Sequence, residues 1–87
     1  MDSMVEEARR RLEELQISLQ RMLQAGADNY SRTAERDLAE AVAAISRIER
    51  GTYGRCERCS GAIGRQRLLA LPAARFCIAC TPAARET

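Results

Sequence analysis

The sequence predicts an all-α, small zinc-containing fold: an antiparallel coiled-coil helical hairpin over residues 1–50, then a four-cysteine zinc-finger module with a short tail over residues 51–87. Three observations carry this expectation. Apolar residues recur in steps of three and four through two long stretches. A glycine stands at the end of each stretch. Four cysteines form two Cys-x-x-Cys pairs in the last third of the chain.

The first helix is expected over residues 3–24. Ser3 and Glu6 make a Ser-x-x-Glu capping box. Val5, Ala8, Leu12, Leu15, Leu19 and Met22 then follow in alternating steps of three and four, a heptad seam with arginines and glutamates between. Gly26 supplies the left-handed stop. After a turn at 25–29, Asp28, Asn29 or Ser31 can cap a second helix from about Ser31 to Arg50. Its seam is Ala34, Leu38, Ala41, Ile45 and Ile48, and Gly51 ends it. Two such helices joined by a short turn fold back on each other, each arm roughly 30 Å long. Both stripes are core and not a binding site.

Residues 51–55 are the hinge into the metal module. The cysteines read Cys56-Glu57-Arg58-Cys59, seventeen residues, then Cys77-Ile78-Ala79-Cys80. Cysteines two residues apart can turn both sulfurs toward one ion, because the tight turn between them also points backbone N–H groups at the thiolates. Two pairs fill the four positions of Zn²⁺ and leave none open for water or substrate, so the metal is expected to be structural. Ile63, Leu68, Leu69, Leu71 and Phe76 supply a small apolar cluster, with Gly64 and Pro72 breaking regular structure between the knuckles. Four cysteines also admit three disulfide pairings, the alternative in a secreted chain. The amino terminus is charged from Asp2 onward with no apolar signal segment, so a reducing cytoplasm and a metal site are expected instead. Thiol oxidation on loss of the metal is at most a secondary property.

At 87 residues a single apolar core is marginal, and a structural metal is a usual remedy. No apolar run of about twenty residues exists to span a membrane. There is no histidine, no open metal position and no paired carboxylate motif that can be placed in a cleft, so an enzyme is not expected. Residues 1–50 carry eight arginines against ten acids, and residues 51–87 carry six against two. Arg55, Arg58, Arg65, Arg67 and Arg75 thus make the second part basic, as a direct nucleic-acid-binding zinc finger would be. Against that stand the absence of an evident recognition helix and the scarcity of stacking rings, with Tyr30, Tyr53 and Phe76 the only aromatics.

The order of parts is specific. A helical hairpin precedes Gly51-Thr52-Tyr53-Gly54-x-Cys56-x-x-Cys59, and then Ile63-Gly64-x-x-Arg67-Leu68-x-Ala70-x-Pro72-x-Ala74-x-x-Cys77-Ile78-x-Cys80. This arrangement resembles the DksA/TraR family of bacterial zinc-finger transcription factors. The resemblance implies one structural zinc on Cys56, Cys59, Cys77 and Cys80. It also implies an accessory regulator of RNA polymerase that inserts its hairpin into the secondary channel, the tip toward the active centre. Family members do not bind promoter DNA, and several act together with guanosine tetraphosphate. The family tip commonly reads Asp-x-x-Asp-x-Ala. Aligning its second aspartate with Asp28 puts Ala25 at the first and Tyr30 at the alanine. The glycine that usually follows the second cysteine is Ser60. The tip residues the resemblance singles out are Asp28, Asn29 and Arg32. The alternatives are a zinc scaffold or protein-interaction module without transcriptional activity, and the nucleic-acid-binding finger.

Overall fold

In the computed structural model, the described residues are 3–26 and 31–81. They form three helices: α1 (Ser3–Gln24), α2 (Ser31–Arg50) and α3 (Arg65–Ala70). The only ladder contact among them is an isolated antiparallel bridge between Arg55 and Ala62. The fold is mostly helical, with α1 packed along α2. The pairing is antiparallel: Arg9, near the start of α1, reaches Glu49, near the end of α2, at 3.9 Å.

Both helix ends follow from glycine. Gly26 has φ 75° and Gly51 φ 77°, conformations that cost an L side chain energy. At the second end Gly51 N donates to Ile48 O at 3.2 Å and Thr52 N donates to Arg47 O at 2.9 Å. That pair of bonds satisfies carbonyls the helix leaves unpaired.

The inward face of α1 departs from the heptad. Ala8, Leu12 and Leu19 are buried, and Val5, Gln16 and Leu23 are half-buried. These positions span eighteen residues in five steps, which is the 3.6-residue turn of a straight helix. The expected seam members Leu15 and Met22 are each 40% exposed. The heptad spacing is slightly shorter, so the two patterns agree at Val5, Ala8, Leu12 and Leu19 and part by one position at Leu15 and Met22, where Gln16 and Leu23 face inward instead. On α2 the buried residues Ala34, Ala41 and Ile48 match the expected seam, with Leu38 and Ile45 half-buried, and Ala44 is added to it. The core of the hairpin is Leu12, Ala41, Ala44 and Ile48, with Val5, Ile45, Tyr53 and Ala73 packed against it.

A second small core holds Cys56, Ile63 and Leu68, flanked by Met4, Tyr53, Ala74 and Phe76. Leu69 and Leu71, expected in this cluster, are exposed instead. The reason is α3, absent from the sequence-based expectation: its single inward position is Leu68. The two cores meet. Tyr53 packs on both, and its hydroxyl donates to Pro72 O at 2.8 Å. Arg11 of α1 donates to Leu69 O.

The register of α1 is testable by truncating two leucines. Leu12 is fully buried, so Leu12→Ala should cost about 3 kcal/mol in chemical denaturation followed by helical circular dichroism. Leu15→Ala should cost less than about 1 kcal/mol. Equal losses at the two positions would restore the heptad seam.

Candidate metal centre

Cys56 and Cys59 lie on a tight turn that begins just after the hinge. Ser60 N donates to Cys56 O at 2.9 Å, and Cys56 N donates to Gly61 O at 2.8 Å, which closes the loop on itself. Two backbone amides then face sulfur: Arg58 N lies 3.4 Å from Cys56 Sγ, and Gly61 N lies 3.4 Å from Cys59 Sγ. The second knuckle is a single turn in which Cys80 N and Thr81 N both donate to Cys77 O, at 3.0 and 2.9 Å. The Thr81 hydroxyl donates to the same carbonyl at 2.8 Å.

All four sulfurs lie within 4.8 Å of one another. Cys59 Sγ and Cys77 Sγ are 3.8 Å apart. An ideal tetrahedron with zinc–sulfur arms of about 2.3 Å places its sulfurs about 3.8 Å apart, so the spacing fits the ion. None of the four is in a disulfide. The charge of the donor set fits as well. Burial by itself would raise the Cys56 thiol, yet backbone N–H groups at Cys59, Cys77 and Arg58 bring it down to about 6. Cys80 is pushed up to about 12, first by its hydrogen bond to Cys56, then by burial and by Cys77 and Cys59. The opposed shifts of Cys56 and Cys80 reflect the cost of a second negative charge beside the first, which a cation among the sulfurs would offset. The chemistry is that of a closed structural zinc site.

Arginines brace the site. Arg67 of α3 donates through Nε to Phe76 O at 3.0 Å and through Nη2 to Thr81 Oγ1 at 2.9 Å, so it holds both flanks of the second knuckle. Arg75 donates through Nε to Glu57 Oε1 at 3.0 Å, and its guanidinium lies 5.2 Å from the centroid of the Phe76 ring. The nucleic-acid alternative counts both arginines toward a basic surface; the structure gives each a partner within the module, with Arg67 half-buried and Arg75 paired to Glu57 at the surface. Arg47 was missed altogether. It is 6% exposed near the end of α2, and its Nη1 donates to Glu57 Oε2 at 3.3 Å. Burial lowers its pKa first; Glu57 opposes that shift and Arg75 adds to it. The signal available in sequence was its place beside Ala44 and Ile48 on the inner face.

Of the tip residues, Asp28 and Asn29 lie outside the described residues, and Arg32 is exposed in the first turn of α2.

The family model described as prokaryotic dksA/traR C4-type zinc finger matches residues 51–82. Residues 51–82 are a zinc finger of the dksA/traR type. An uncharacterized protein of Aquifex aeolicus is 45% identical over 53 residues, which are 61% of this chain and 37% of that protein. The match therefore spans little more than a third of the relative. Two solved structures share the fold. The RNA polymerase binding protein and transcriptional regulator Dks from Chlamydia trachomatis superposes with a TM-score of 0.80 at 22% identity, over 99% of this chain and 92% of that one. Transcription factor DksA2 from Pseudomonas aeruginosa superposes with a TM-score of 0.78 at 24% identity, over 98% and 85%.

Within a dksA/traR-type finger the residue after Cys59 matters. Ser60 has φ 66°, the only non-glycine residue at positive φ among those described. An L residue there carries about 1–2 kcal/mol of backbone strain. Ser60→Gly should raise the stability of the zinc-loaded protein by about 0.5–1 kcal/mol, after the entropy glycine adds to the unfolded chain. Thermal denaturation with zinc present reads this directly, and a lower midpoint would mean that the serine side chain has its own role. Elemental analysis of freshly reduced protein should give one zinc per chain. Cys77→Ser should lose it together with the order of residues 55–80, because binding energy at such a site is folding energy.

Proposed function

We propose that this chain is a non-enzymatic transcription regulator that binds RNA polymerase. Residues 1–50 form a probe that enters the secondary channel tip first, and residues 51–87 form the base, held by structural zinc. The observation that carries this function is a slender helical hairpin standing on a dksA/traR-type finger, in one arrangement along nearly the whole chain. At 1.5 Å per residue, the 22 residues of α1 give an arm about 33 Å long. Such an arm can reach through a narrow channel while the base stays outside. The site of action is the cytoplasm, and no described helix is long and apolar enough to cross a membrane.

Two features favour a protein partner over nucleic acid. Leu15, Leu71, Pro72, Ala73 and Phe76 line an open apolar hollow beside the hairpin. Exposed apolar surface of this kind marks protein contacts, whereas phosphate is met by free cations. Arg67 and Arg75, two of the five arginines that make the module basic, already have partners within it: Phe76 O and Thr81 for the first, Glu57 for the second.

In this proposal Asp28 is the acid left to act at the tip, since Ala25 stands where the family pattern has the first aspartate. Asp28→Asn removes the charge and keeps the size and much of the capping ability. The variant should bind purified core RNA polymerase as well as the wild type, yet lose most of any effect on transcription. Pull-down, crosslinking from position 28 and a purified transcription assay, with and without guanosine tetraphosphate, measure both. No binding by the wild type would remove the proposal. Binding without any change in transcript level would favour a zinc scaffold without regulatory activity, the outcome to which Ala25 points.

A further inference from the structure

Glu57 sits inside the first knuckle, between two metal ligands, and reaches two other parts of the molecule. Its backbone N donates to Arg75 O at 2.9 Å, and its Oε1 accepts from Arg75 Nε at 3.0 Å. These bonds tie the first knuckle to the segment that leads into the second. Its Oε2 accepts from Arg47 Nη1 at 3.3 Å, across to the last turn of α2.

The Arg47 side chain is 7% exposed, and its Nη2 is buried with no hydrogen-bond partner among the described residues. A guanidinium withdrawn from water is tolerated only while a carboxylate faces it; removing the partner strands a buried charge. That carboxylate is held by a knuckle whose folding depends on the metal. The same Arg47 supplies the carbonyl that accepts from Thr52 N and closes α2. An ordinary exposed ion pair would contribute little; this one differs because one member is buried.

We propose that Glu57 and Arg47 form a clasp through which metal binding by the four cysteines fixes the last turn of α2, and with it the seating of the hairpin on its base. Arg47 and Glu57 are positioning residues and not metal ligands. When the knuckle opens, Glu57 leaves, Arg47 must move outward to regain water, and the helix cap at Gly51 and Thr52 loosens with it. Arg50 and Arg55, which line the same depression beside Cys56, add positive charge next to a zinc–thiolate centre whose net charge is negative.

Backbone amide hydrogen exchange at residues 47–52 of the full chain, with zinc and after chelation, tests the clasp. In the wild type, chelation should accelerate exchange there by about a hundredfold. In Arg47→Met, which fills the same space without a charge to strand, the acceleration should fall below about threefold. Glu57→Gln should still bind one zinc by elemental analysis, but about tenfold more weakly in chelator competition. Its exchange at 47–52 should already be fast with zinc bound. An undiminished response in Arg47→Met overturns the clasp, as does slow exchange in zinc-loaded Glu57→Gln. If Arg47→Met fails to fold, Glu57→Gln decides alone, since that side chain is partly exposed. None of these readouts involves polymerase, so their failure leaves the proposed function standing.

Discussion

The four-sulfur cluster is the constraint on which the rest of the molecule depends. Among the described residues, the buried apolar set of its module is Cys56, Ile63 and Leu68. At about 1 kcal/mol or more of conformational entropy per ordered residue, so small a core cannot hold some thirty residues in place. Zinc–thiolate binding supplies the difference, and it does so by geometry. Four sulfurs at tetrahedral spacing set the two knuckles relative to each other. The knuckles in turn set Glu57, and Phe76 and Thr81, the partners of Arg67.

The hairpin depends on that support more than its length implies. Four of its buried positions, Ala8, Ala34, Ala41 and Ala44, are alanines, which allow close approach but bury little area. Its central cluster is completed from outside by Tyr53 and Ala73. Each residue of the hinge motif has a physical task here. Gly51 takes the left-handed turn that ends α2, and Tyr53 joins both cores. At Gly54 the φ is 88°, and a Cβ would meet Leu68 Cδ1 at 3.4 Å. A hinge built this way is a joint packed on both sides and not a loose linker.

What could be read from sequence was what is local. Ligand spacing within Cys56–Cys59 and Cys77–Cys80 is decided by one turn each, and the sulfurs lie together. The two long helices announced themselves by periodicity and by the glycines after them. The inner face of α1 was harder, because a heptad and a straight helix differ by only about a tenth of a residue per turn; Leu15 and Gln16 compete for the same place and apolarity favours the wrong one. The six residues of α3 have no side-chain cap and too few turns for periodicity to show. Leu69 and Leu71 were misplaced with it. The pairing of Arg47 was illegible for a different reason: its inward place could be read beside Ala44 and Ile48, but its partner lies beyond the helix end and the hinge, and no local pattern pairs them. Arg67 and Arg75 show the same limit, since composition reports charge but not whether that charge is already committed.

A long arm makes the geometry of its base matter at its far end. With an arm of about 30 Å, a tilt of about ten degrees at the base moves the tip by about 5 Å. That is more than a hydrogen bond or a metal contact tolerates. Any function exercised at the tip therefore depends on contacts a full helix length away, among them Tyr53 to Pro72, Arg11 to Leu69 and Arg47 to Glu57. Of these three, the last joins a metal knuckle directly to α2. The zinc site is closed and offers no chemistry of its own, but its occupancy still governs where the other end of the molecule points.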